Sequence, residues 1–235
     1  MHPDDHGHRQ DLRATFDFMA DRYVDQTIRV SRGDYPGWMD DITALVQSWA
    51  PESVADVGCG PGYLLERLSR TMDHADLVGV DYSAAMLQHV PEHIPTLHQP
   101  LEEWIESSDK TYDVVLLTFV LRDQPNPDAI LSQLQKRLTG SGHLLVLETH
   151  TPIGWRGWGF HLYFEHWLPF WGQRRLAPDW PGAREQAPYR WLADSHRRWR
   201  RAPALPDRMR DAGYGNIERH RPETDVVMLW SATPG

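Results

Sequence analysis

Apolar residues recur at helical spacing over residues 10–24 and again over 37–50. The period then changes. Ser53–Val57 is a short β-rich run that ends in glycines. Helical spacing returns over residues 61–70, where Pro61 suits a first turn. Residues 76–80 read as a second strand, and Ser83 suits the N-cap of the helix behind it. Residues 112–117 and 143–147 are mainly apolar runs, the kind that lies buried on both faces of a parallel sheet. Between them, Asn126 and Pro127 give an N-cap and a first-turn proline to a helix predicted to reach about residue 138, with Gly140 and Gly142 closing it. Strands alternating with helices imply right-handed βαβ units.

The pattern shifts after Thr151. Residues 152–201 are aromatic and basic without a strand signal, and they predict helices covering one end of the sheet. Alternation resumes with a helix over 205–212, stopped by Gly213. Two strands follow, 216–220 and 225–230, joined by the short connection 221–224. The expected architecture is α/β: a Rossmann-like, seven-stranded, mostly parallel sheet with a C-terminal antiparallel hairpin and a helical lid insertion. One domain is expected over 1–235, with N-terminal helices in 1–52 and the insertion in 152–201.

Composition narrows the class. A chain of 235 residues builds a sizeable core without disulfide or metal staples. The only cysteine, Cys59, excludes a disulfide framework, fits a reducing compartment, and reads as a small buried filler. Residues 1–10 are polar with no apolar signal core, and no apolar run approaches the ~20 residues of a membrane span, so a soluble, cytoplasmic protein is expected. The net charge of −9 argues against nucleic-acid binding. Yet residues 155–201 hold nine arginines against four acids, a net of +5, and seven of the eleven tryptophans. Two readings of that segment stay open. It is a lid whose tryptophans pack on the sheet, or a surface that meets a membrane interface. His2, Asp4, Asp5, His6 and His8 could hold a metal, but a frayed tail is the simpler reading and no metal is expected.

The densest chemical signal is Asp56-Val57-Gly58-Cys59-Gly60-Pro61-Gly62, between a predicted strand and a predicted helix. Glycines there let the backbone turn sharply and a ligand approach closely. Tyr63 occupies the place where a dinucleotide fingerprint wants a small third residue, so the fit to NAD is poor. The second strand ends in Asp81, whose two oxygens suit paired ribose hydroxyls. Met86, one turn past Ser83, suits an adenine face.

These residues resemble the class I methyltransferases that use S-adenosylmethionine (SAM), and a terminal hairpin on a parallel sheet is that family's arrangement. The resemblance implies that Asp56, Gly58, Gly60 and Gly62 border the methionine part of SAM and that Asp81 holds the ribose. Tyr82, Met86 and Thr118 join that set. The family often places an acid or Asn after strand three against the adenine amino group. Here Gln99-Pro100-Leu101-Glu102 departs at Pro100, which leaves Glu102 as the nearest candidate. The product would be S-adenosylhomocysteine (SAH).

Thr118-Phe119-Val120-Leu121-Arg122-Asp123 and Leu144-Leu145-Val146-Leu147-Glu148 resemble the ubiquinone/menaquinone C-methyltransferases, the UbiE type. Phe16 to Tyr23 is similar to that family's N-terminal F-x-x-x-A-x-x-Y segment. Two positions depart: the usual Leu-Arg-Asn reads Leu-Arg-Asp at Asp123, and the usual Asp after the N-terminal Tyr is Val24. Arg29 to Trp38 faintly resembles carboxy-SAM synthases. The resemblance implies a small or lipid-tailed acceptor, such as a quinol or phenolic ring. A SAM-binding subunit without catalysis and a SAM-modifying enzyme of the carboxy-SAM type are the alternatives. A homodimer and peripheral membrane contact are compatible with it.

Methyl transfer expels a neutral thioether, so the leaving group needs no acid; a phenol-like acceptor must lose a proton, so a base helps. Asp123 and His150 lie past the carboxyl ends of strands four and five, the ligand-binding edge of open α/β sheets. Arg122 suits an anionic oxygen. Tyr23, His161 and His166 could be carried there by the N-terminal and inserted helices.

Overall fold

The computed structural model describes residues 12–107, 109–182 and 187–235. The N-terminal histidine and aspartate cluster of residues 1–9 lies outside them. Helix α1 (residues 12–19) passes through a 3-10 turn, Ala20–Arg22, into α2 (Tyr23–Val30). The helical spacing therefore runs further than residue 24. Helix α3 (Tyr35–Trp49) ends where Ala50 turns left-handed.

The chain then enters the alternation. Strand β1 (Ser53–Val57) leads to α4 (Tyr63–Thr71), β2 (Asp76–Asp81), α5 (Ala84–Leu87), β3 (Thr96–His98), α6 (Leu101–Ser107) and β4 (Tyr112–Thr118). Helix α7 (Pro127–Leu134), β5 (Leu138–Thr149), α8 (Trp155–Leu162), α9 (Leu168–Arg175), α10 (Pro188–Trp199), α11 (Leu205–Asp211), β6 (Tyr214–Arg219) and β7 (Val227–Pro234) complete it. The seven strands lie in the order β3-β2-β1-β4-β5-β7-β6. β1 to β5 pair in parallel, while β7 runs antiparallel between β5 and β6.

The central strands are apolar on both faces because both faces are covered. Ala55, Val57, Val115, Leu117, Leu144 and Val146 pack with α6, α7 and α11 residues such as Trp104, Leu131 and Met209. The alternate positions Val54, Val114, Leu116, Leu145 and Leu147 pack with Met39, Ile42 and Val46 of α3 and Leu64 and Leu68 of α4. Period two thus sends neighbouring residues to opposite cores.

Three local expectations change. The helix after the glycine loop starts at Tyr63, not Pro61, because Gly62 sits at φ +76°, which no helical residue adopts. The helix from Pro127 stops at Leu134 and a 3-10 turn, Gln135–Arg137, finishes it. Gly140 and Gly142 lie inside β5 instead, where the pairing with β4 slips between Tyr112 and Val114. A Cβ on Gly142 would stand 2.9 Å from the Tyr112 carbonyl, so glycine there serves a close strand approach. The terminal hairpin has a longer connection, 220–226, stiffened by Arg221, whose Nε donates to Asp225 at 2.7 Å.

The described residues of 152–201 are mainly helical. A π turn, Tyr163–Trp167, joins α8 to α9 without a break, so residues 155–175 are one rod. Glu165, on the π turn, clamps that rod to α10. Its side chain is 2% exposed and accepts from Arg200 Nε at 2.7 Å and Arg197 Nε at 3.1 Å. Burial opposes its charge, but those two donors overcome it and hold the carboxyl down at about 2. Among the described residues no helix is long and apolar enough to cross a membrane.

Candidate active site

The carboxyl ends of β1, β2 and β4 frame a narrow cleft. Gly58, Gly60 and Gly62 all take positive φ there. A Cβ on Gly58 would meet Val120 Cγ2 at 2.3 Å, so the loop lies directly against the residue that follows β4 by two. Asp81 is 8% exposed. Its Oδ2 accepts the Gly60 N–H and its Oδ1 the Ser83 N–H, both at 2.9 Å. Each oxygen keeps further acceptor capacity toward the cleft. Ser83 caps α5 by accepting the Met86 N–H at 3.1 Å, and it donates to Asp17 at 2.5 Å. That bond fastens α1 to the turn between β2 and α5.

Gly58, Gly60, Asp81, Tyr82, Met86, Glu102 and Thr118 line the cleft, together with Tyr23, Gln99 and Asp123. Gly62 and Asp56 do not. Gly62 backs onto Val90, whose Cγ2 would lie 3.0 Å from an added Cβ. Asp56 sits beneath the loop, 1% exposed, and its Oδ1 has no hydrogen-bond partner among the described residues. Burial, with the charge of Asp81 adding to it, pushes the Asp56 carboxyl up to about 7. The Tyr82 hydroxyl is likewise buried, with no hydrogen-bond partner among the described residues.

A second, larger cavity of about 480 Å³ adjoins it, built by α1–α2 on one side and α8–α10 on the other. Its wall is mainly apolar and rich in aromatic rings, with Trp38, Phe160, Tyr163, Tyr189 and Trp191 among the lining residues. Phe16, Tyr23 and Phe119 line both spaces and form the partition between them. Phe119 holds φ at +60°, a strained geometry for an aromatic residue, at the end of β4 where the two spaces meet. Gln26 pins α2 to the insertion. It is 5% exposed, donates to the Leu176 carbonyl at 2.7 Å and accepts from the Tyr189 hydroxyl at 3.1 Å.

Arg122 and Asp123 divide between the two spaces. Arg122 lines the aromatic cavity and Asp123 the glycine-loop cleft. Arg122 donates to Glu148 twice, from its backbone N–H at 3.1 Å and from Nη1 at 2.8 Å, and its Nε stands 3.5 Å from Asp123 Oδ1. Burial opposes the guanidinium charge, but Asp123 and Glu148 outweigh it and keep Arg122 protonated. Burial pushes Asp123 up to about 7, against the pull of Arg122. The Tyr23 hydroxyl is pushed up to about 12 by burial, with Arg122 opposing. The Tyr23 hydroxyl therefore stays protonated at neutral pH and can donate a hydrogen bond, while Asp123, like Asp56, titrates near neutrality.

His150, His161 and His166 are not brought to either space. The His150 backbone joins Val226, while His161 pairs with Glu165 at 3.1 Å on the insertion. His166 is exposed, edge-on to His161. The sequence reading passed over two buried groups. Glu148, 1% exposed, closes the ion cluster, and its signal was an acid ending a buried apolar strand. His196, also 1% exposed, stands 3.0 Å from the Thr149 hydroxyl behind the cavity. Burial, reinforced by Arg122, lowers its imidazole to about 4, so it stays neutral.

The chain matches the model of a methyltransferase domain over residues 32–219. The chain belongs to this methyltransferase family. The family's methyl donor is SAM. The methyltransferase is 27% identical over 243 residues to a demethylmenaquinone methyltransferase of Thermobifida fusca strain YX, covering 95% of this chain and 94% of that one. It is 25% identical to the protein of that name from Anoxybacillus flavithermus, with 88% of each covered. The plantazolicin methyltransferase BpumL, solved in complex with SAH, superposes with a TM-score of 0.61 at 14% identity over 97% of each chain. A methyltransferase of Thermotoga maritima, described as a possible histamine N-methyltransferase, gives 0.60 at 14% identity over 94% of this chain and 99% of that one. These two likenesses speak for the fold.

Proposed function

We propose that this SAM-dependent methyltransferase methylates a carbon of an apolar hydroquinone or related phenolic ring, with SAM in the glycine-loop cleft and the ring in the aromatic cavity. The observation that carries the reading is the aromatic cavity itself, which meets the cleft at Tyr23, Phe16 and Phe119 and admits Arg122 as its buried charge. The names of the relatives, demethylmenaquinone methyltransferases, point to the same substrate class.

The cleft fits the donor on several counts. Asp81 offers both oxygens to a ribose, Met86 offers an apolar face to adenine, and Glu102 and Gln99 stand at its far rim. The orphaned Asp56 Oδ1 suits the donor's ammonium, through the loop or a water. Bound SAM supplies an electrophilic methyl on a sulfonium, with a neutral thioether as leaving group.

The remaining work belongs to the chain. The aromatic walls exclude water and fix the plane of the ring. Arg122, oriented by Glu148, favours the anionic form of the ring oxygen. Asp123, on the cleft side of the partition and held against Arg122, takes the hydroxyl proton through a water it holds, and electron density reaches the ring carbon that attacks the methyl. The proton on the methylated carbon then leaves to solvent water as Asp123 returns its proton to the ring oxygen, which restores the hydroquinone with a net release of one proton. The test is to incubate the enzyme with SAM and a chemically reduced, short-tailed demethylmenaquinone, and to follow product mass and SAH release. A ring-methylated product supports the reading. Transfer confined to amines or carboxylates, with none to ring acceptors, overturns it.

A further inference from the structure

The rod formed by residues 155–175 is about 31 Å long at 1.5 Å per residue. Its inner side packs Gly157, Phe164, Leu168 and Gly172 against the rest of the insertion. Its outer side is also apolar. Trp155 is 84% exposed, Trp158 73%, Leu162 49%, Trp167 50% and Phe170 59%, with Ile153 at 55% just ahead of them. The steps between these residues are three, four, five and three. The five-residue step crosses the π turn, where one turn takes an extra residue, so all five stay on one stripe.

Apolar stripes of this kind on a soluble surface mark an interaction site. The charges around this one choose the partner. The only acid within 155–175 is Glu165, which is buried in its clamp. Arg156, Arg174 and Arg175 are exposed beside the stripe, and the Arg174 guanidinium lies over the Phe170 ring at 3.8 Å. The whole chain carries −9, so its basic aromatic face stands out against an acidic body. A two-fold contact between copies would set these arginines against each other. Exposed tryptophans with flanking arginines suit the headgroup level of an anionic bilayer.

We propose that this stripe docks the protein on an anionic lipid surface, with the rod lying in the plane of the headgroups. Resting on the reading of an apolar acceptor, it also gives that acceptor a route. Trp155 and Arg156 line the cavity and are exposed, so the cavity opens beside the docked stripe.

Vesicles that contain no acceptor separate this proposal from the catalytic one. The intact protein is sedimented with phosphatidylcholine vesicles and with phosphatidylcholine–phosphatidylglycerol vesicles, at low and at high salt. The expected result is binding to the anionic vesicles that weakens with salt. The double variant Trp158→Ala/Phe170→Ala, whose residues lie outside both cavities, should lose about tenfold or more in partitioning. Arg174→Glu/Arg175→Glu should remove the preference for anionic lipid. Unchanged melting and SAM affinity show that both variants are folded. Binding by the aromatic variant equal to that of the parent overturns the proposal. So does a parent protein that stays in solution, including one whose stripe proves to hold a dimer.

Discussion

Replacing Asp123 by Asn tests the chemistry at its centre. The carboxyl normally ionises near 3.8, and burial raises it to about 7 despite Arg122 at 3.5 Å. If its anion takes the acceptor proton, activity follows its ionised fraction. At pH 5, two units below that value, only about 1% is ionised, so the rate should sit about a hundredfold below its plateau. Asn keeps the shape and loses the base. The variant should fall about 10²–10⁴-fold below the parent at pH 8 and show no such limb, so the gap narrows toward pH 5. The assay is kcat and kcat/KM from pH 5 to 9 on a short-tailed quinol, with SAM affinity measured alongside. Kcat/KM for the donor reports the free enzyme and should break near 7. Kcat reports the loaded enzyme, where the sulfonium charge favours the carboxylate and should move the break lower. Asn is also the residue the UbiE type usually carries at this position. A variant as active as the parent at every pH, or one whose ratio to it is constant, refutes the assignment of Asp123 as base.

Other outcomes follow from single contacts. Asp81→Ala should weaken SAM and SAH alike by about 1.5–3 kcal/mol in calorimetry, the loss of hydrogen bonds to a charged group. Gly58→Ala should abolish SAM binding, because its Cβ would strike Val120 at 2.3 Å in a left-handed backbone, and equilibrium dialysis reads the loss. Glu165→Ala should cost about 1–3 kcal/mol in urea unfolding, less than a fully buried pair because Arg197 and Arg200 are each 35% exposed and rehydrate. With the folded carboxyl at about 2, that contribution is complete above the unfolded value near 4.5 and fades as pH falls from there, so parent and variant should converge in acid. SAM binding should release protons near pH 6–7, as Asp56 and Asp123 ionise beside the arriving cation, visible as a dependence of the binding heat on the buffer.

The sheet was legible because its rule is local. The central strands are mainly apolar on both faces, and Gly58, Ser83 and Asn126 each sit beside the strand or helix they bound. The glycine loop and Asp81 could be read for the same reason: a turn between β1 and α4 and the last residue of β2 lie within a few residues of their signals. Where reading failed, a distant partner decided. Gly142 looks like a helix stop until the Tyr112 carbonyl stands against it. His150 sits at the expected strand end, yet its backbone is drawn to Val226 and it stays outside both spaces. Gln26 and Tyr189 are 163 residues apart, and no spacing rule announces that they meet. The aromatic cavity draws on pairs such as this one, so its walls were less legible than the glycine loop, although Tyr23, Arg122 and the segment 152–201 that line it were expected near the sheet edge.

The placement of charge gives that division a direction. The donor side holds Asp56, Asp81 and Asp123, two of them raised to about 7 by burial. The acceptor side holds Arg122, kept protonated and fixed by Glu148. In the proposed reaction, a cationic donor and an acceptor that becomes anionic would each be met by the opposite sign, and the neutral ring by apolar walls. Before transfer, the sulfonium stabilises the ionised form of the nearby carboxylates. Transfer removes that charge, because the thioether is neutral. The buried carboxylates are then left without their cation, and taking up protons relieves them. On the proposed reading, the same desolvation that would poise Asp123 as a base would also weaken the hold on the spent donor once the methyl has moved.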